Sequence, residues 1–329
     1  MKDFELYFPR AVGDAVKLLS AEESERDSTM VLAGGQDLLG ELKEHLVEPA
    51  ALVDLKGVGE LARIEPLPDG ALRIGALVRL SELEREPWIR QRFPMLAEAA
   101  ESVATPQIRA LGTLGGNLCQ RPRCWYYRNE HAVCLKKGGT ECFSYGGENK
   151  YNAILGGGPS YIVHPSDLAP ALVAYDAAVE LASLPGPRVL PLGEFFTLPT
   201  EGDVRRENVL APNEIVTHVT IPGDRDAWRA TYLKVRERDS FDFALSAVAL
   251  ALRLSEGTIA EARLVLGGVA PKPWRCVSAE EKLVGRKIDA ETCRLAAEEA
   301  LRGAELLEHN AYKIPMTKGL VIKALRKLG

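Results

Sequence analysis

Along the first hundred residues the hydrophobic positions change period repeatedly. "AVGDAVKLLS" (11–20) carries its apolar residues at helical spacing, "MVLAGG" (30–35) is a short apolar run stopped by glycines, and "LLGELKEHL" (38–46) returns to the helical period. "AALVDLK" follows as a strand. "ARIEPLPDGALRIGA" reads as a hairpin, two strand-like runs parted by a Pro-Asp-Gly turn. "LSELERE" (80–86), with Ser81 as its N-cap, is a helix that should stall at Pro87, and "PMLAEAAESVA" opens a further helix with a first-turn proline.

Farther along, "YIVHPSDLAPALVAYDAAVELASL" (161–184) reads as strand-rich with a Pro-Ser-Asp turn, and "EIVTHVTIP" (214–222) as a strand. The proline- and charge-rich text around 222–229 marks the expected domain boundary. Beyond it lie "RATYLKVRER", two long apolar-alternating runs in "ALSAVALALRLSEGTIAEARLVLGGV" joined at Glu-Gly, and helices at 288–307 and 315–328. Strands followed by helices point to a separate α+β domain over 223–329.

Composition narrows the function. With 329 residues, 46% hydrophobic and 26% charged, the chain has ordinary globular usage and enough length for two or three domains. A net charge of −5 without a basic run argues against nucleic acid as a partner. The N-terminus has no apolar signal region and no run spans a bilayer, so the expected compartment is the cytoplasm, or the periplasm only if a partner subunit carries an export signal. Of six cysteines, four fall between Cys119 and Cys142. In a reducing compartment such a cluster is a metal or redox site before it is a pair of disulfides.

Two glycine stretches carry candidate chemistry: "VLAGGQDLLGELK" (31–43) and "GTLGGNL" (112–118). In the first, a strand runs into Gly34-Gly35 and then a helix, an arrangement in which bare backbone N–H groups face a phosphate. The second offers Gly115-Gly116-Asn117 as an exposed loop, with Thr113 and Asn117 as further donors. A pyrophosphate gripped from two sides would use both; ordinary turns are the alternative. "GVGELA" (57–62) formally matches a dinucleotide fingerprint but lacks the following helix, because Pro66 intervenes.

The cysteine spacing, C-x4-C-x9-C-x7-C, contains no C-x2-C pair, so zinc ribbons and thioredoxin-like sites fit poorly. Iron–sulfur clusters tolerate wider spacing. Trp125, Tyr126 and Tyr127 would shield such a cluster, and Arg121, Arg123 and Arg128 would offset its negative charge. Iron–sulfur, zinc and unligated thiols all remain open on spacing alone. Cys276 and Cys293 read as small buried hydrophobes, and His131 as a solvated loop residue. In "YLKVRERDSFDFA", Lys234 suits a place beside a flavin, although the run reads by itself as solvated charge with Arg238 and Asp242.

Taken in order, "AGGQDLL", "GTLGGNL", "HPSDLAPALVAYDA", "KVRERDSFDFA" and "LGGVAPKPWR" resemble the FAD-binding medium subunit of the xanthine dehydrogenase and molybdenum hydroxylase family over nearly the whole chain. The resemblance implies an α+β fold: two α/β FAD-binding subdomains within 1–222 (about 1–57 and 58–222) and a C-terminal α+β domain of the CO dehydrogenase flavoprotein type. It implies that Val31, Leu32, Ala33, Gly34, Gly35, Gln36, Asp37 and Leu38, with Thr113, Leu114, Gly115, Gly116 and Asn117, cradle the FAD pyrophosphate. Asp167 would reach the flavin or its ribityl chain, Lys234 would lie near the isoalloxazine, and Trp125 would touch the cofactor. The insertion at about 119–160 resembles the branch with an extra [4Fe–4S] cluster, as in the beta subunit of 4-hydroxybenzoyl-CoA reductase and some bacterial aldehyde oxidoreductases.

That branch implies Cys124, Cys134 and Cys142 as cluster ligands. Its fourth cysteine falls at Ser160 here, so three readings stand: Ser160 ligates through oxygen, Cys119 substitutes, or the cluster is incomplete or absent. The implied partners are a molybdopterin-binding large subunit and a [2Fe–2S] small subunit, in a heterotrimer or its dimer. Two rival readings are a stand-alone FAD oxidoreductase and a non-redox zinc-binding scaffold.

Overall fold

The computed structural model describes residues 1–20 and 22–329, arranged around three sheets that succeed one another along the chain. Glu5–Tyr7, Ala51–Asp54 and Thr29–Leu32 make a parallel sheet with the 51–54 strand central. All four residues of that strand are buried, as a parallel strand covered on both faces requires. The second sheet is antiparallel, in the order Ile64–Pro66, Leu72–Gly75, Ile215–Ile221, Ala178–Ala182, Arg188–Pro191. Its first two strands are the expected hairpin, turning at Gly70 with φ +83°.

Several expectations need correction here. Pro87 does not stop a helix but opens one, Pro87–Arg92, at a position where its missing N–H is no loss. The N-cap of Leu80–Arg85 is Arg79, whose N–H donates to Glu82, and not Ser81. "LAPALVA", read as part of a strand-rich stretch, is the helix Leu168–Ala174. All seven of its residues are buried, and a helix buried all round shows no period to read.

The third sheet runs Trp274–Arg275, Thr258–Gly267, Ser246–Ser255, Arg229–Val235, antiparallel throughout. Alternation in its third strand splits two cores. Val248, Leu250 and Leu252 pack with residues of the helices Val277–Leu283, Ala290–Ala300 and Lys313–Leu328. Ala247, Ala249 and Ala251 join the larger core, which includes residues of Pro94–Glu101 and Leu168–Ala174 and therefore continues across residue 222. Small side chains on that face let the helices approach closely. The architecture is mixed α+β, and among the described residues no helix is long and apolar enough to cross a membrane.

Candidate functional site

The strand Thr29–Leu32 runs out through Ala33-Gly34-Gly35-Gln36-Asp37 into the helix Leu38–Lys43. A Cβ on Gly34 would lie 2.1 Å from the Leu111 carbonyl oxygen, so only glycine lets these segments touch. Gly35 has φ +70°, a conformation that favours glycine. The main-chain N–H groups of Gly34, Gly35, Gln36 and Asp37 donate no hydrogen bond among the described residues. Four consecutive bare donors remain, the arrangement that binds an anion.

"GTLGGNL" is not the exposed loop expected. Leu114–Leu118 is a short helix, and Thr113 Oγ1 caps it by accepting the Gly116 N–H at 3.2 Å. The Leu114 and Gly115 N–H groups donate to Val78 and Ala76 carbonyls at 2.9 and 2.8 Å, so they are spent on internal pairing. Gly115 is glycine because a Cβ there would sit 2.8 Å from Ala76 Cβ; a Cβ on Gly116 would meet only Thr113 Oγ1, at 3.0 Å. Asn117 is buried, its Oδ1 accepting from Ser166 Oγ at 2.5 Å.

Both stretches line one cavity of about 490 Å³. Val31, Ala33, Gln36, Asp37, Leu38, Thr113 and Asn117 line it too, while Leu32 and Leu114 are buried in the core behind it. A second cavity, about 580 Å³, is lined in part by Trp125, Tyr151 and His164. Arg123, Pro165, Asp167, Asp242 and Phe243 line both, so the two adjoin.

Asp167 stands at that junction. It accepts from Tyr232 Oη at 2.6 Å and from Lys234 Nζ at 2.7 Å. The Lys234 side chain is 4% exposed, which overturns its reading as solvated charge; Arg238 in the same run is exposed. The buried carboxylate supplies what the buried amine requires. Tyr232 was not foreseen, although two-residue alternation places it on the strand face of Lys234. Burial, with Asp167 beside it, holds the Tyr232 phenol well above its ordinary range, so it stays a donor. His164 is buried and packs edge-on against Phe196, with centroids 4.8 Å apart, and burial pushes it down to about 4.

The cysteine segment folds against the first glycine stretch. The Asp37 carboxylate accepts from Arg121 N, Arg123 Nη1 and Arg128 Nη2 at 2.6, 2.6 and 2.7 Å. Lys136 and Arg121 pair with the buried Glu207, and Tyr127 Oη donates to the buried Glu41 at 2.7 Å. The arginines expected to offset a cluster are thus drawn to carboxylates, which cannot be buried unpaired. The aromatic shield divides likewise: Tyr127 is buried, whereas Trp125 is 60% exposed with its edge on Tyr151.

Asn152 Nδ2 lies 3.9 Å from Cys124 Sγ and bonds the Tyr161 carbonyl at 3.0 Å. Burial raises the Cys124 thiol and Cys142 adds to the effect, while Lys137 feels both Cys134 and Cys124. Ser160 Oγ is buried without a hydrogen-bond partner among the described residues. Cys119 lies apart, on the glycine-lined cavity, its thiol pushed up to about 12 by burial. All six cysteines are free, and among the described residues no three His, Cys, Asp or Glu side chains gather as a metal-binding group.

A bare donor run where a strand turns into a helix, next to a cavity with a buried carboxylate and amine, is an arrangement that suits an anionic ligand. The chain matches the model of the FAD binding domain in molybdopterin dehydrogenase over residues 2–224, and that of the CO dehydrogenase flavoprotein C-terminal domain over 231–328. It is 36% identical to the aldehyde oxidoreductase FAD-binding subunit of Escherichia coli over 77% of this chain and 78% of that one. It is 29% identical to the carbon monoxide dehydrogenase medium chain of Hydrogenophaga pseudoflava, over 98% and 96%. A solved carbon monoxide dehydrogenase structure from H. pseudoflava matches with TM-score 0.77 at 27% identity, covering 99% of this chain and 97% of that one. The chain belongs to the FAD-binding medium subunits of the xanthine dehydrogenase and CO dehydrogenase family, and is an oxidoreductase subunit.

Proposed function

We propose that this chain passes electrons between the iron–sulfur centres of partner subunits and an external acceptor. The complex would include a large molybdopterin subunit and a small [2Fe–2S] subunit, as a heterotrimer or its dimer, with substrate chemistry outside this chain. The observation that carries the reading is the run of four unpaired N–H groups from Gly34 to Asp37 on a cavity shared with the second glycine stretch. FAD, when bound, supplies a ring that accepts and releases electrons. Residues 31–38 hold the dinucleotide mainly by donation and 113–117 mainly by shape. Asp167, fixed between Tyr232 and Lys234, orients polar groups at the junction of the cavities, and Trp125 borders the second.

In the same reading the segment 119–160 holds a [4Fe–4S] cluster on Cys124, Cys134 and Cys142. Its support is the effect of Cys142 on the Cys124 thiol and the buried Ser160 Oγ, partnerless among the described residues and next in sequence to Tyr161, whose carbonyl Asn152 links to Cys124. Ser160 is therefore assigned the fourth position in preference to Cys119.

Protein purified without oxygen tests both parts by its visible spectrum before and after reductant, with iron and sulfide analysis. About one FAD and about four irons per chain are expected, and no substrate oxidation by the chain alone. Iron-free protein removes the cluster. A folded chain that takes up no FAD by calorimetry removes the whole reading, and turnover by the isolated chain favours a stand-alone oxidoreductase.

A further inference from the structure

Five carboxylates line the glycine-lined cavity, Asp37, Glu41, Asp167, Glu214 and Asp242, and cations outside the lining already pair Asp167 (Lys234) and Glu214 (Arg188). A diphosphate entering beside Asp37 would share the two guanidinium groups, Arg123 and Arg128, that now offset that carboxylate. Only two cations line the cavity among the described residues, Arg121 and Arg123, and both come from the cysteine segment. Arg121 is committed elsewhere, with Nε 3.2 Å from Glu207 and Nη2 donating to the Arg205 carbonyl at 2.9 Å. Arg123 is differently placed. Its Nη1 donates to Asp37 at 2.6 Å, its Nη2 to Gln120 Oε1 at 3.3 Å, and the guanidinium lies 5.1 Å from the Phe243 ring centroid. These contacts fix the group, and its Nε, like that of Arg121, is buried with no hydrogen-bond partner among the described residues.

Resting on the FAD reading above, we propose that Arg123 is a flavin-site residue: held by Asp37 and Phe243, its guanidinium is the charge partner of the FAD diphosphate. The glycine stretch supplies neutral donors and the cysteine segment supplies the charge. The segment is then part of the nucleotide site and not merely a neighbour to it. Arginine suits the role because Asp37 and Gln120 take one N–H each from Nη1 and Nη2, and the second N–H of each nitrogen is left for phosphate oxygens.

The test measures FAD affinity and flavin midpoint potential for wild type, Arg123→Gln, Arg123→Lys and Arg128→Gln. Arg128 also pairs with Asp37 but does not line the cavity, so its variant reports loss of segment anchoring alone. Arg123→Gln should weaken FAD by roughly 10- to 100-fold, the range for a hydrogen bond to a charged group, with the potential unchanged. Arg123→Lys should fall between, and Arg128→Gln should lower the melting temperature with FAD affinity within about threefold of wild type.

Arg123→Gln binding FAD as tightly as wild type overturns this inference alone. So does equal weakening by Arg128→Gln, which would make the effect one of anchoring. A shifted potential with unchanged affinity for oxidised FAD also overturns it, by moving the arginine to the ring. Wild type that binds no FAD overturns the functional reading together with this one.

Discussion

The two glycine stretches look alike in sequence and are built for different purposes. At Gly34-Gly35 the glycines leave the main chain bare: the loop touches Leu111 through its backbone, and four N–H groups in a row go unpaired among the described residues. At Gly115-Gly116 the main chain is already satisfied by Val78, Ala76 and the Thr113 cap, and Gly115 is there so that a helix start can lie on Ala76. One stretch contributes donors, the other a close-packed wall. Glycine therefore reports a near approach of protein segments in both, to Leu111 at Gly34 and to Ala76 at Gly115, but only the first leaves its N–H groups without internal acceptors among the described residues.

The sharpest way to break this comparison is Gly34→Ala. The new Cβ meets backbone atoms, Leu111 O at 2.1 Å and Leu111 C at 3.0 Å, which cannot rotate away. Stability should fall by roughly 3 kcal/mol, the upper part of the range for overpacking, and FAD should be lost with it. Chemical denaturation and flavin content measure the two together. Retained FAD in a folded Gly34→Ala protein would show that the bare loop is not the cradle.

Acidification should act on the second stretch through His164. His164 Nδ1 accepts the Ser166 N–H at 3.3 Å, and Ser166 Oγ holds Asn117. Because burial pushes His164 down to about 4, the unfolded chain binds a proton that the folded chain refuses between the ordinary histidine value and that one. The stability from neutral His164 is complete above about pH 6.5 and is lost as pH falls toward 4, by about 3 kcal/mol in all. Unfolding midpoints across that window should flatten in His164→Gln. An unchanged slope would dissociate His164 from the Asn117 side of the site.

Next in size comes Gly115→Ala, about 2 kcal/mol, because its Cβ would lie 2.8 Å from the Ala76 side chain and 3.2 Å from the Ala76 oxygen. Here FAD affinity should fall less than stability does, since this N–H is already spent. Calorimetry of the folded variant with FAD decides it. Loss of FAD as complete as in Gly34→Ala would erase the distinction between the two stretches.

How much of this was legible beforehand follows from period and partners. "MVLAGGQDLL" displays a strand, a glycine stop and a helix in ten residues, so the first stretch was readable. The second was not, because five helical residues are too few to show a period and the cap at Thr113 resembles any loop threonine. "LAPALVA" hid its helix in uniform burial. The junction was half visible: Asp167 and Lys234 came from family likeness, whereas Tyr232 was available from alternation along the strand. The Asp37 contacts of Arg123 and Arg128 were hidden since charge partners eighty or more residues away leave no local trace.

Gly116→Ala is the mildest of the set and the most discriminating. The added methyl meets a single side-chain oxygen, Thr113 Oγ1, at 3.0 Å, and otherwise points into open space where the cavity lies. Two opposing effects act on stability: alanine is favoured over glycine within a helix by up to about 1 kcal/mol, and crowding of the capping oxygen opposes it. The net change in unfolding free energy should therefore be within about 0.5 kcal/mol of zero. The methyl nevertheless occupies volume that a dinucleotide against this wall would use, so FAD affinity should fall although the fold does not. Stability and affinity move together in Gly34→Ala and part company here. Should Gly116→Ala bind FAD as wild type does, the dinucleotide does not lie against the helix start, and the second stretch serves the core alone.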